Sequence, residues 1–274
     1  MSLFFYLSQY FIVMIAQTII ELESVDSTNL YANQLLAKGD LHDGTVIWAH
    51  QQHAGRGQNE NVWYSDAGKN LTFTIVLYPR FLEASQQFRL NKAISLGVLD
   101  FIHTRIKSSQ SGIPASPAGS QPPQASIKWP NDIFVGTCKV AGILIENRIM
   151  GSNIDTSVVG IGININQERF IQEADKAGSL IHFIRKETDL KQALTDVCRS
   201  LEIRYSHLYS GYYSRIDGDY CAGLMGYRSN RKFLVNGNEM EGFIEGVDDM
   251  GRLQIRKSDL KTISFNHKEV EYLF

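Results

Sequence analysis

The chain of 274 residues is 43% apolar and 20% charged, with a formal net charge of −2. Those fractions sit near globular averages and exclude wholesale disorder, collagen and a polytopic membrane protein. The even charge balance also lacks the basic excess usual in nucleic-acid binders.

Residues 1–20 carry no charged side chain. Ser2, Ser8, Gln9, Gln17 and Thr18 interrupt the apolar run, and it has neither the basic leader nor the small-residue cleavage site of a signal peptide. The expectation is a buried strand within residues 10–22 and no membrane anchor, with Met14 an alternative natural start. Asp26-Ser27-Thr28-Asn29 is a cluster of helix N-cap types, followed by Leu30, Tyr31, Leu35 and Leu36 at helical spacing and by Gly39 as a stop. Residues 44–49 and 70–78 read as strands, and residues 86–107 as a helix with one apolar face that includes Leu90, Ile94, Phe101 and Ile102. The stretch 108–126 is of another kind: four of the six prolines and six serines fall there, with no charge. It reads as a loop inserted within a domain.

Residues 127–135, 139–150 and 157–166 follow as three β-type segments, with Gly136 and Gly151-Ser152-Asn153 at the turns. A long helix is predicted over 189–208. Beyond Gly223, short strands with closely spaced glycines read as a small β-barrel, Asn236-Gly237 and Met250-Gly251 marking tight turns. The domain division expected is therefore 1–222, including the insertion, and 223–274.

Three segments carry residues that packing alone does not explain. In Gln51-Gln52-His53-Ala54-Gly55-Arg56-Gly57, a Gly-Arg-Gly after a strand offers free backbone N–H groups and a guanidinium to an anion. A glycine hairpin with a solvated arginine is the simpler alternative. In Ile127-Lys128-Trp129-Pro130-Asn131-Asp132-Ile133, a lysine lies inside an apolar run that Pro130 must break. The alternative is an edge-strand lysine that blunts aggregation. In residues 158–166, apolar residues alternate with Gly160 and Gly162 and then with Asn164 and Asn166. Missing side chains leave room for a flat ligand or for close sheet packing. His50 and His53 have no third ligand nearby, so no metal site is expected.

In order and content these segments resemble the biotin–protein ligases (biotin–[acetyl-CoA-carboxylase] ligases). The resemblance runs through Asp26-Ser27-Thr28-Asn29, Gln52 to Gly57 and Trp63, Lys128-Trp129-Pro130-Asn131-Asp132, Lys139 to Glu146, Gly160 to Asn164, and the barrel residues Gly246-Val247-Asp248 and Gly251-Arg252-Leu253. It covers roughly residues 19–274 and implies an α+β fold: a mixed-sheet catalytic domain of the biotin/lipoate ligase type with a C-terminal SH3-like barrel. The implied activity uses ATP, with Mg²⁺, to make biotinyl-5′-AMP and then biotinylates a lysine of a biotin carboxyl carrier protein.

The resemblance carries biotin contacts onto Ser27, Thr28, Asn29, Gln52, Gly55, Arg56, Gly57, Gln58, Lys128 and Gly160, with Lys128 and Arg56 catalytic. Nucleotide contacts fall on Trp63, Asn131, Asp132, Lys139, Gly142 and Asn164. Two features depart from the family pattern. Gln58-Asn59-Glu60-Asn61 stands where basic residues and a second glycine are usual, and the insertion 108–126 just precedes Lys128. Only 18 residues precede Ile19, too few for the winged helix of the family's repressors. The expected protein is a ligase without specific DNA binding, with a homodimer allowed. It is expected in the cytoplasm, consistent with Cys138, Cys198 and Cys221 forming neither a disulfide framework nor a CxxC pair. A lipoate–protein ligase and a non-catalytic biotin-binding protein are the alternative readings.

Overall fold

A computed structural model describes residues 14–39, 41–58, 61–110, 123–170 and 176–273. The larger sheet has seven strands in the order β1-β2-β3-β7-β6-β5-β4. These are β1 (Ile19–Val25), β2 (Thr45–Gln52), β3 (Leu71–Leu77), β4 (Ala125–Lys128), β5 (Asp132–Val135), β6 (Cys138–Met150) and β7 (Asn153–Ile163). Only β1 and β2 run parallel; every other neighbouring pair is antiparallel, as short hairpin connections favour. The sheet is therefore mixed, as the sequence led us to expect.

The interior strand β3 is buried along its whole length because both sheet faces are covered. On one face lies α1 (Thr28–Leu36), packing Ala32 onto Ile47, Val76 and Val158. On the other lie α2 (Gln87–Gln110) and α4 (Leu190–Tyr209), whose Leu90, Ile94, Leu194 and Leu201 enter the main core. Gly97 lets α2 and α4 touch, since a Cβ there would stand 2.9 Å from the Cα of Leu201. Two helices escaped the sequence reading, α3 (Leu180–Ile184) and α5 (Tyr213–Gly223).

The second sheet is antiparallel, β11-β10-β9-β8-β12, from β8 (Asn230–Val235), β9 (Asn238–Val247), β10 (Leu253–Arg256), β11 (Thr262–Phe265) and β12 (Val270–Tyr272). Its five short strands around Phe233, Ile244, Leu253 and Ile255 fit an SH3-like unit. Asn236 and Gly237 both have positive φ (50° and 77°), which the tight β8–β9 hairpin requires.

Two expectations need correction. The N-terminal strand begins at Ile19 and is an exposed sheet edge, because it pairs with β2 alone. The rest of the proposed 10–22 strand and the membrane question fall partly on residues 1–13, outside the described residues. Residues 127–135 are not one strand: the Trp129–Pro130 peptide is cis and turns the chain back as a β4–β5 hairpin at the sheet edge. Of the insertion, 111–122 lie outside the described residues, and the elements flanking it, α2 and β4, belong to the same layered unit. No helix among the described residues is long and apolar enough to cross a membrane.

Candidate active site

A cavity of about 530 Å³ opens on the sheet face that carries α1. Its floor is polar and preorganised. Ser27, Thr28 and Asn29 at the start of α1 are each under 5% exposed, yet Thr28 and Asn29 are fully engaged. The Thr28 amide and hydroxyl both donate to Oε1 of Gln52, at 2.8 and 3.1 Å. The Thr74 hydroxyl donates to Oδ1 of Asn29 at 2.6 Å, while Asn29 Nδ2 donates to Glu146 at 2.8 Å. The cap-type cluster therefore serves the cavity rather than the helix end, since Ser27 makes no capping bond. Buried polar groups held this way keep one orientation, which a neutral ligand with donors and acceptors needs.

The glycines of β7 have a specific job. A Cβ on Gly160 would collide with the Asn29 carboxamide, and one on Gly162 would sit 2.6 Å from Cζ2 of Trp63. Part of the space that the missing side chains leave is thus filled by the protein's own Asn29 and Trp63. Trp63 closes a small hairpin: its amide donates to Gly55 O at 2.9 Å, and Gly57 N donates to Asn61 O at 2.7 Å. Gly55 is buried under Trp63, whose carbonyl a Cβ there would strike. Arg56 bridges to Val62 in this hairpin, and its side chain is exposed at the cavity. Asn59 and Glu60 lie outside the described residues.

The β4–β5 hairpin supplies the charge. Lys128 and Asp132 face each other across its turn, and Lys139 from β6 pairs with Asp132 at 2.8 Å. Burial pulls the Lys128 ammonium below the usual lysine range; Asp132 opposes this, and the like charges of Lys139 and Lys176 add to it. The Lys128 ammonium lies 5.5 Å from the Phe134 ring centre and 6.0 Å from that of Tyr272. Lys139 lies 5.9 Å from the Trp63 ring. Cations thus ring a cavity whose floor is uncharged.

Most of the expected site residues converge here. Ser27, Thr28, Asn29, Gln52, Arg56, Gly57, Gln58 and Gly160 line the cavity, as do Trp63, Lys128, Asn131, Asp132, Lys139 and Gly142. Two do not. Gly55 acts beneath the loop, and Asn164 is only 3% exposed and donates to Gly178 O at 2.9 Å. Asn131 lines the cavity, but its amide is spent on Ile143 O at 2.5 Å. The sequence reading missed Lys176, His267, Lys268, Glu271 and Tyr272, which also line it. No motif marks them, because the last four arrive from the second sheet. Burial lowers the pKa of His267, with Asp132 opposing and Lys268 and Lys128 reinforcing. Trp129 ties the sheets together, donating its indole N–H to Gly251 O at 3.0 Å.

Among the described residues no three His, Cys, Asp or Glu gather as a metal site. His50 instead lies 2.9 Å from Glu21. The donor set does not fit a resident Mg²⁺, which seeks octahedral oxygen ligands.

Comparison with known proteins places the chain. The model of the biotin/lipoate A/B protein ligase family matches residues 21–164. The bifunctional ligase/repressor BirA of Bacillus spizizenii is 28% identical over 247 residues, spanning 89% of this chain and 70% of that protein. The biotin–[acetyl-CoA-carboxylase] ligase of Mycobacterium tuberculosis is 28% identical over 228 residues, 83% and 79% of the two chains. In fold, the biotin protein ligase from Aquifex aeolicus in complex with biotin and ATP superposes with a TM-score of 0.73, covering 93% of this chain and 98% of that one at 24% identity.

Proposed function

The chain belongs to the biotin/lipoate A/B protein ligase family, and from that premise we propose that it is a biotin–[acetyl-CoA-carboxylase] ligase, activating biotin with ATP and passing it to a lysine of a biotin carboxyl carrier protein. The observation that carries this reading is the union, in one cavity, of a neutral hydrogen-bonding floor with a rim of cations. The ureido ring of biotin is neutral and has both donors and acceptors, which suits Ser27, Asn29 and Gln52. The Mycobacterium tuberculosis relative is named a biotin–[acetyl-CoA-carboxylase] ligase, and neither of the two names refers to lipoate.

Biotin would lie on the α1 floor under the Gly55–Trp63 hairpin, its carboxylate toward Lys128. In the first step a carboxylate oxygen attacks the α-phosphorus of ATP, and the bond to the β-phosphate oxygen breaks with its electron pair leaving on pyrophosphate. Both reactants are anionic, so the barrier is largely electrostatic. Lys128 and Arg56 would offset that repulsion, Lys139 and Asp132 would set the electrostatics at the nucleotide end, and Trp63 and Gly142 would bound it. In the second step the acceptor amine attacks the acyl carbon; AMP departs with the carboxyl oxygen and the amine loses a proton to solvent. The divalent ion enters with the nucleotide, as MgATP, held by phosphate oxygens and water.

We further propose that the functional division follows the two sheets, residues 1–222 holding biotin and ATP and 223–274 closing one side of the site. The protein would work in the cytoplasm and bind DNA only weakly and without sequence preference. Purified protein with ATP and biotin should release pyrophosphate, and replacing biotin by lipoate should give none.

A further inference from the structure

The turn that carries Lys128 is held from outside the cavity by two groups on one carbonyl. The Pro130 oxygen accepts from Asn91 Nδ2 at 2.9 Å and from the Tyr220 hydroxyl at 2.6 Å. A carbonyl has two lone pairs, and here both are filled by side chains from different helices, α2 and α5. The residues on either side are fixed by other partners, Trp129 by Gly251 O and Asn131 by Ile143 O. Lys128 and Asp132 flank this three-residue turn and pair across it. The aim of the Lys128 ammonium therefore depends on where the Pro130 peptide sits.

Tyr220 is itself built in. It is fully buried and meets Phe88 edge-on at 5.9 Å. One helical turn earlier on α5, Asp217 takes the ammonium of Lys92 at 2.8 Å, and Lys92, next to Asn91 on α2, is only 2% exposed. A buried lysine paired to a carboxylate is costly to misplace. The Lys92–Asp217 pair thus fixes α2 against α5 at the level where both send a donor to Pro130. Burial holds the Tyr220 hydroxyl in its protonated, donating form.

We propose that Asn91 and Tyr220 are positioning residues for adenylate formation, a clamp that keeps Lys128 in register with the reacting groups; this rests on the assignment of Lys128 to that step. Neither side chain lines the reaction cavity. Their effect would pass through the Pro130 peptide. Displacing a reacting group by about 1 Å can cost about 100-fold in rate, and supporting hydrogen bonds are what prevent such drift.

The test uses Asn91→Leu, Tyr220→Phe and the double variant in the full-length protein, with pyrophosphate release for kcat, calorimetric binding of biotin without ATP, and thermal melting. Each single variant leaves one donor and should lose about 2- to 5-fold in kcat, within the range of one hydrogen bond. The double variant should lose tenfold or more, with biotin affinity within threefold of wild type. A smaller loss in the double variant overturns the proposal, as does a parallel loss of biotin affinity, which would mark these contacts as general scaffolding. If Tyr220→Phe does not fold, the half-buried Asn91 carries the test, with a kcat equal to wild type as the contrary result. Absence of biotin-dependent pyrophosphate release from the wild-type protein would instead overturn the ligase assignment, so the two failures are distinct.

Discussion

Replacing Lys128 by alanine should abolish nearly all adenylate formation while leaving the protein folded. The ammonium lies among Asp132, Lys139, Lys176 and Glu271 and is pulled below its ordinary pKa chiefly by burial. It is thus held charged at some cost to the fold. Its removal relieves repulsion from Lys139 and Lys176, and Asp132 keeps its 2.8 Å partner Lys139. The melting temperature should therefore change by no more than a few degrees, since about 1 kcal/mol shifts a chain of this size by roughly 2–4 °C. The catalytic loss is of another order. A unit charge about 5 Å from the reacting anions, at an effective permittivity of about 20, is worth about 3 kcal/mol, or roughly 10²–10³-fold in rate. Pyrophosphate release under saturating ATP and biotin measures this directly. A rate within threefold of wild type, in a variant that melts normally, would remove Lys128 from the chemistry.

Four further outcomes are expected. Gly162→Ala should displace Trp63 from its seat against β7, because the new Cβ would stand 2.6 Å from its Cζ2; ATP should bind at least tenfold more weakly while circular dichroism is unchanged, and unaltered ATP binding would contradict this. Gly251→Ala places a side chain at φ 85° and against Phe88; at about 1–2 kcal/mol for the backbone alone, the melting temperature should fall by several degrees, and activity should fall with it as the strained backbone shifts the residue 251 carbonyl that accepts from the Trp129 indole. Activity should decline along an alkaline limb below the ordinary lysine value of 10.5, because the charged form of Lys128 is the working one and its folded pKa is depressed; stability runs the other way, the cost of burying the charge fading as pH rises through the folded pKa, so a limb at or above 10.5 would refute the assignment. With Gln58 and Glu60 in the loop in place of basic and glycine residues, the adenylate should leak and biotinylate albumin added as a bystander; Gln58→Arg with Glu60→Gly should reduce that labelling, and no labelling by the wild-type chain would count against the idea.

The site was legible in the sequence where chemistry and strand geometry conflict. Lys128 in an apolar run ahead of Pro130, and glycines alternating through residues 160–162, break the ordinary pattern of a buried strand, and both lie in the cavity. The proline showed that the run must break, but not that it turns back as a hairpin whose Pro130 carbonyl is held by side chains of α2 and α5, far along the chain. The glycine pattern announced open space without saying that Asn29 and Trp63 occupy part of it. Asn164 was expected at the nucleotide only because the family resemblance carries it there, yet its amide donates to Gly178 O. The cavity residues of the second sheet carry no sequence signal: Lys268 and Glu271 stand in no motif, and only the β11–β12 segment of the folded chain brings them to the cavity. Helix α5 was hidden for a related reason, since its buried face rests on Ile216 and Tyr220, too few to form an apolar stripe.

The most direct measurement follows the label through both steps. The purified chain is incubated with ATP, Mg²⁺, biotin and a biotin carboxyl carrier protein, and both pyrophosphate and the modified carrier are quantified by mass. The expected result is stoichiometric pyrophosphate with one biotin on the carrier's acceptor lysine, none when lipoate replaces biotin, and neither product from Lys128→Ala. Pyrophosphate release with lipoate in preference to biotin, or tight biotin binding without any pyrophosphate, would contradict it.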